Sequence, residues 1–303
     1  MSSVEVENIT KKFGDFIAVD NITFKVEKGE IFGFLGPNGA GKSTTIRILC
    51  GIISPTCGSG SVGGFPLGTN NREIKTIIGY MSQKFSLYDD LTVYENLDFY
   101  SGVYPIPRNE RKNRIQNALI FSDLTLRQND ITATLPTGLK QRLALSCSLL
   151  HKPEILFLDE PTAGVDPLSR RNFWELIYKL SETGVTVFVT THYMDEAEHC
   201  DRVAFIDGGK LVKIDSPRKL KMTAENIFEI ECEDWKKGYE ALRANEDKIG
   251  QVALFGTKIH ITPMPGTEMI IDKILNTSGC GCISKQEISP SLEDIFVSLL
   301  RHD

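Results

Sequence analysis

The sequence predicts an α/β fold: a core of buried parallel strands, an antiparallel β-layer ahead of it, a helical insertion, and a small α+β domain at the end. Three observations carry this. Two almost continuously apolar runs, Ile155-Leu156-Phe157-Leu158 and Val185-Thr186-Val187-Phe188-Val189, bracket an amphipathic stretch from Leu168 to Glu182, the pattern of buried parallel strands joined by a crossover helix. Period-two alternation in Val4-Glu5-Val6-Glu7 and Ile22-Thr23-Phe24-Lys25-Val26-Glu27 marks half-buried strands near the start. From about Asn226 the pattern changes and reads β-α-β-β-α-β.

Taken in order, the antiparallel layer leads to the apolar strand Ile31-Phe32-Gly33-Phe34-Leu35 and then to Gly36-Pro37-Asn38-Gly39-Ala40-Gly41-Lys42-Ser43-Thr44. This G-x-x-x-x-G-K-S run between strand and helix is a phosphate-binding P-loop. Its glycines let successive N–H groups converge on phosphate oxygens, and the following helix points its positive end at them. Lys42 is expected on the β- and γ-phosphates and Ser43 on Mg²⁺. A Gly/Ser/Pro-rich passage from Ser54 to Gly68 precedes the apolar strand Ile77-Ile78-Gly79-Tyr80-Met81, and helical spacing from about Tyr88 to Asp130 predicts the insertion.

After the two buried strands comes a hairpin pattern, Val203-Ala204-Phe205-Ile206-Asp207, Gly208-Gly209, Lys210-Leu211-Val212-Lys213-Ile214, then Ser216-Pro217 opening a helix. The last part reads as a strand from Ile227 to Cys232, a helix near Asp234 to Ala244, a hairpin across Gly256-Thr257, and a helix near Thr267 to Asn276. A strand from Ile283 to Ile288 and an amphipathic helix from Leu292 to Leu300 complete it. That order predicts a ferredoxin-like layer. The domain division is 1–222, with the insertion at about 84–150, and 223–303.

Composition narrows the partners. With 34 Lys+Arg against 40 Asp+Glu, the formal net charge is −6, and no basic stripe offers itself to a phosphate backbone or an anionic membrane. Nucleic acid is therefore not an expected partner. No apolar run approaches the roughly 20 residues that cross a bilayer, and Met1-Ser2-Ser3-Val4-Glu5 lacks a signal-peptide layout, so the chain is expected in the cytosol. Seven scattered cysteines read as reduced thiols, and Cys280-Gly281-Cys282 is assigned no function.

A P-loop does not by itself distinguish a kinase from a GTPase or a transport motor, so the polar residues at the strand ends decide. Asp159, at the end of one buried strand, suits the positioning of Mg²⁺. Glu160, next to it, suits polarisation of an attacking water. Thr190-Thr191-His192 ends the next strand and places an imidazole within reach of the γ-phosphate and the water.

Gln83, Glu160-Pro161-Thr162, Ala163-Gly164-Val165-Asp166-Pro167 and His192 follow one another in an order and spacing that resemble the ATP-binding-cassette ATPases, over roughly residues 4 to 220. The resemblance implies that ATP and Mg²⁺ are bound, that Phe13 stacks on adenine, and that Gln83 senses Mg²⁺ and water. It also implies that Asp166 meets the opposing subunit of an ATP-sandwich dimer. Where the family has Leu-Ser-Gly-Gly-Gln, this chain has Leu135-Pro136-Thr137-Gly138-Leu139. Pro136 removes a hydroxyl and a backbone donor, and Thr137 puts a side chain where phosphate approach favours glycine. Gly138 and the helix N-terminus remain, and Thr137 is a replacement hydroxyl one position along. Losing one charge-assisted hydrogen bond costs about 1.5 to 3 kcal/mol, so slowed turnover is expected.

A Leu-Pro-x-Gly signature, Leu91-Thr92-Val93-Tyr94-Glu95-Asn96-Leu97 and the ending Ser291-Leu292-Glu293-Asp294-Ile295-Phe296 resemble the multidrug-type ABC-2 exporter ATPases. That group pairs with separate six-helix membrane subunits, which implies a nucleotide-binding dimer, of like or unlike chains, on the cytoplasmic face of the membrane. Contact with the membrane would then run through the permease partners alone. The resemblance implies that a coupling helix docks beside Gln83, with Phe85, Leu87, Tyr88 and Leu91 as contacts, unless these residues simply pack the insertion. Two other readings stay open: a nucleotide-gated regulatory protein with weak or no hydrolysis, and a soluble cassette acting on ribosomes or DNA. Intact Glu160 and His192 speak against the first. The absence of a second cassette or long coiled-coil insertion speaks against the second.

Overall fold

A computed structural model describes residues 2–83, 86–224 and 226–300. The chain divides into two compact units, Met1–Ile214 and Asp215–Asp303. The division falls just ahead of the helix that Ser216-Pro217 begins.

The first unit opens with β1 (Ser2–Phe13) and β2 (Phe16–Glu27), an antiparallel pair turned through Gly14. It continues with β3 (Ile31–Leu35), α1 (Lys42–Leu49), β4 (Cys57–Val62), β5 (Phe65–Pro66), α2 (Asn71–Ile77) and β6 (Ile78–Met81). The Gly/Ser/Pro-rich passage is thus partly sheet: β4 adds to β1, and β5 to β4, giving the antiparallel order β2-β1-β4-β5. Its hydrophobicity is low because these strands are largely exposed, so backbone pairing defines them instead of an apolar pattern.

The insertion supplies α3 (Val93–Val103), α4 (Arg108–Phe121) and α5 (Thr137–Leu149). Thr92 and Glu95 form a reciprocal capping box that starts α3. Next come β7 (Ile155–Asp159), α6 (Pro167–Glu182), β8 (Thr186–Thr191), α7 (Met194–Ala197), β9 (Arg202–Asp207) and β10 (Lys210–Asp215). The core sheet runs β10-β9-β3-β8-β7-β6, with β9, β3, β8, β7 and β6 mutually parallel. Strands β3, β7 and β8 are buried along their whole length, which is why they read as unbroken apolar runs. Phe24 of β2 stacks on Phe32 at 5.6 Å and packs against Phe34 and Phe188, joining the antiparallel layer to the core sheet.

The second unit comprises α8 (Pro217–Thr223), β11 (Ile227–Cys232), α9 (Trp235–Arg243), α10 (Glu246–Ile249), β12 (Gly250–Phe255) and β13 (Lys258–Pro263). It ends with α11 (Glu268–Ser278), β14 (Cys282–Ile288) and α12 (Leu292–Leu300). Its sheet is antiparallel in the order β12-β13-β11-β14, the ferredoxin-like arrangement expected from the element order. Ile230, Ile259 and Ile261 from the sheet meet Leu242, Ile271 and Leu275 from the helices in its core.

Candidate functional site

Because β3, β8 and β7 are neighbours in the parallel sheet, their C-terminal ends bring three chain segments to one crevice. The P-loop leaves β3, Asp159 and Glu160 end β7, and His192 follows β8.

The loop closes tightly on its neighbours, and its glycines are required by space. A Cβ on Gly36 would lie 2.1 Å from the Ile206 carbonyl oxygen, and one on Gly41 would lie 2.5 Å from that of Ala18. Gly41 also holds φ at 103°, in the left-handed region, as the residue that starts α1. Ala40 is tied at its carbonyl by the Gly209 amide at 3.2 Å. The cradle is backbone brought close to backbone, as phosphate binding by amides needs.

Lys42 is buried. Its ammonium donates to the carbonyls of Gly36 at 2.8 Å and Pro37 at 3.0 Å, and lies 3.1 Å from Glu160 Oε1. The other Glu160 oxygen accepts from Gln83 Nε2 at 3.2 Å and lies 3.2 Å from His192 Nδ1. One carboxylate therefore gathers the P-loop lysine, the glutamine ahead of the insertion and the strand-end histidine. The Glu160 backbone holds φ at 49°, a left-handed conformation that costs a non-glycine residue about 1 to 3 kcal/mol and recurs at functional sites. Two bonds from its amide, to the carbonyl and to the hydroxyl of Thr190, both at 3.1 Å, hold it there.

Beside it, Ser43 Oγ donates to Asp159 Oδ1 at 2.9 Å, and Thr190 Oγ1 donates to the same oxygen at 2.9 Å. Burial pushes the Asp159 carboxyl above its ordinary range, against these two hydrogen bonds, which pull it down. A hydroxyl and a buried carboxylate in contact at the start of α1 form an oxygen donor set that fits a hard divalent cation. A cation there would also relieve the desolvation of Asp159.

Thr190 and Phe16 are functional candidates that pattern reading passes over. Thr190 is one of two threonines ending an apolar strand, and its link to Asp159 depends on the pairing of β7 with β8. Phe16 lines the cleft together with Asn38, Gly39, Thr44 and Gln83. Phe13 lies opposite it across the β1–β2 turn, half exposed, with Lys11 over its ring at 5.1 Å. The pairing of β1 with β2 places both rings at the same hairpin end, where sequence alone does not rank them.

Thr137, Gly138 and Asp166 do not line this cleft. Pro136 is the N-cap of α5 and Thr137 its first residue, both exposed. Asp166 caps α6, its carboxylate accepting from the Ser169 amide at 2.9 Å, which holds the carboxyl below its usual range. A Cβ on Gly138 would fall 2.7 Å from Ser169 Cβ and Oγ, so the two helix starts are packed on each other. Packing within the chain thus requires glycine at position 138, independently of any phosphate.

A family model described as ABC transporter matches residues 19–163. The probable multidrug ABC transporter ATP-binding protein YbhF of Escherichia coli (strain K12) is 51% identical over 226 residues, 74% of this chain and 39% of that protein. The chain thus spans well under half the length of YbhF. The linearmycin resistance ATP-binding protein LnrL of Bacillus subtilis (strain 168) is 35% identical over 306 residues, covering 98% of this chain and 97% of that one. Among solved structures, the dimeric post-hydrolysis state of the ATP-binding cassette MJ0796 bound to ADP and Pi superposes with a TM-score of 0.63. It is 28% identical and covers 70% of this chain and 98% of that one.

Proposed function

The chain belongs to the ABC transporter family, and from that membership we propose that it is an ATP-binding and ATP-hydrolysing subunit that drives separate transmembrane subunits in export. The observation that carries the proposal is the Glu160 carboxylate, held at once by Lys42, Gln83 and His192 above a P-loop and beside the Ser43–Asp159 pair.

In this reading the P-loop amides and Lys42 bind the β- and γ-phosphates of ATP, and Phe16 or Phe13 meets the adenine. Phosphate draws the Lys42 ammonium away from Glu160, which leaves that carboxylate to His192, Gln83 and a water. Glu160 accepts a proton as the water oxygen bonds to the γ-phosphorus and the bond to the bridging oxygen breaks, giving ADP and inorganic phosphate. Ser43 and Asp159, with Gln83 at the edge, are the residues that would hold Mg²⁺, which supplies charge compensation along the phosphates. His192 fixes the direction of the Glu160 carboxylate and hydrogen-bonds the γ-phosphate.

Thr137, Gly138 and Asp166 act on a nucleotide held by a second cassette, consistent with their position away from the cleft of their own chain. The MJ0796 cassette is dimeric in its ADP- and Pi-bound structure. In this reading the membrane component is a separate permease; no helix among the described residues is long and apolar enough to cross a membrane. The permease's coupling segment docks in the aromatic groove formed by Tyr80, Leu87, Tyr100 and Tyr104, next to the strand that leads to Gln83; of the expected contacts, Leu87 lines that groove and Tyr88 and Leu91 do not. Phe85, the fourth expected contact, lies outside the described residues. The working position is the cytoplasmic face of the membrane, and residues 1–222 are the nucleotide-binding domain with 223–303 as an accessory domain.

The signature supports a second reading, a nucleotide-gated switch with slow turnover, since Pro136 caps α5 without a side-chain hydroxyl. Mg·ATPase rates of the purified chain over a range of protein concentrations separate the two. Activity rising faster than linearly, and falling at least a hundredfold in Glu160→Gln with ATP binding retained, is the expected result. Turnover unaffected by that substitution would remove Glu160 from its role.

A further inference from the structure

One side chain outside the cleft grips the segment after β8, which in turn is bonded to the segment after β7. Arg170, one turn into α6, is largely buried. Its guanidinium carbon lies 4.0 Å from the centroid of the Tyr193 ring. The Tyr193 ring packs on that of His192 at 4.1 Å, and His192 Nδ1 lies 3.2 Å from Glu160.

The same guanidinium also meets two carboxylates a few residues past Tyr193. Its Nε lies 3.5 Å from Glu196 Oε1, and one terminal nitrogen lies 3.2 Å from Asp195. Glu196 is buried and accepts from the hydroxyl of Thr162, two residues past Glu160. A buried carboxylate needs its cation, and here the carboxylate that Arg170 serves is the one that ties the segment after β8 to Thr162 in the segment after β7. Further along α6, Trp174 stacks on His199 at 4.8 Å, so the helix and the 193–200 segment form one packed surface.

We propose that Arg170 is a positioning residue for hydrolysis: through Tyr193 it sets the His192 ring, and through Glu196 and Thr162 it sets the backbone that carries Glu160. The guanidinium is suited to this because it stacks on a ring with its face while pairing with carboxylates at its edge, which an ammonium does not do. The link also reaches the first turn of α6, where Asp166 is the cap and Ser169 meets Gly138. A displacement at the signature helix is thereby passed to His192 and Glu160 within the same chain.

The proposal rests on the reading of Glu160 and His192 as the hydrolytic pair, so the test has one arm that needs no turnover. Amide hydrogen exchange of the full-length chain is measured for wild type, Arg170→Lys and Arg170→Met. Uptake is expected to rise together in peptides covering 160–166 and 192–200 in both variants. In parallel, kcat, KM and the Kd for a fluorescent ATP analogue are measured, with Glu160→Gln and His192→Ala as references. Arg170→Lys is expected to lower kcat about tenfold to a hundredfold with KM and Kd changed less than threefold. Added to His192→Ala, it should lower kcat by less than it does in the wild-type background, since only the route through Glu196 and Thr162 then remains.

Unchanged exchange in either segment overturns the proposal, as does a loss of activity that merely tracks a loss of binding sites. Rates that ignore Glu160→Gln, with exchange rising as stated, would sink the hydrolytic reading but leave the structural link standing.

Discussion

At the residue scale, the site shows how one position serves two constraints. Gly138 stands where a phosphate of a second cassette is expected and also where the Ser169 side chain leaves no room for a Cβ. Gly138→Ala is therefore expected to lower stability by about 1 to 3 kcal/mol through overpacking, before any effect on nucleotide is counted. Ser169→Gly removes the opposing atoms, so thermal denaturation of the double variant should recover most of the loss. Full additivity of the two changes would mean that the helix starts are not in contact. Glu160 illustrates a cost of a different kind, since its left-handed backbone is held by Thr190 for the sake of where its carboxylate points.

At the element scale, α12 is tied to its sheet by a titratable group. Its Asp294 accepts from the Ser291 amide and hydroxyl at the start of the helix, and lies 2.7 Å from His260 Nδ1 of β13. The second His260 nitrogen lies 3.4 Å from Glu229 of β11, which Lys258 and Gln286 also engage. Burial alone would push the His260 imidazole down, but the two carboxylates outweigh it and hold its pKa above the ordinary 6.5. Burial alone would raise Asp294, but its bonds to His260 and Ser291 bring it below the ordinary 3.8.

The sign follows from the direction of each shift. A raised imidazole stabilises the folded unit fully below pH 6.5, and that contribution is lost as pH rises through the folded value. A lowered carboxylate stabilises above pH 3.8 and is lost as pH falls. The melting temperature of the C-terminal unit should thus decline as pH rises above 6.5, and His260→Gln should flatten that decline. A wild-type profile that stays level to pH 8.5, about two units above the ordinary imidazole value, would contradict this assignment.

At the scale of the whole molecule, two cores imply two cooperative events. Calorimetry of the full chain is expected to show two transitions, and Mg·ATP should raise only the one belonging to residues 1–214. At a hundred times Kd the added stability is about 2.7 kcal/mol. A shift of both transitions by nucleotide would show that the C-terminal unit unfolds with the first, and a shift of neither would count against ATP as the ligand.

The P-loop, the strand ends at Asp159, Glu160 and His192, the order of the core elements and the β-α-β-β-α-β pattern of the last unit were all legible in the chain itself. Each is written locally, as an apolar run, a spacing of glycines or a polar residue closing a buried strand. Strands β4 and β5 were not legible, because largely exposed residues define them only through pairing, β4 with β1 and β5 with β4. Nor were Thr190 as a ligand of Asp159, Phe16 at the cleft, Ser169 against Gly138, or Arg170 between Tyr193 and Glu196. These are contacts between residues distant along the chain or on different faces of one element. Hydrophobic periodicity sets which face of an element turns inward, but only the packed sheet and helices decide which side chains meet there.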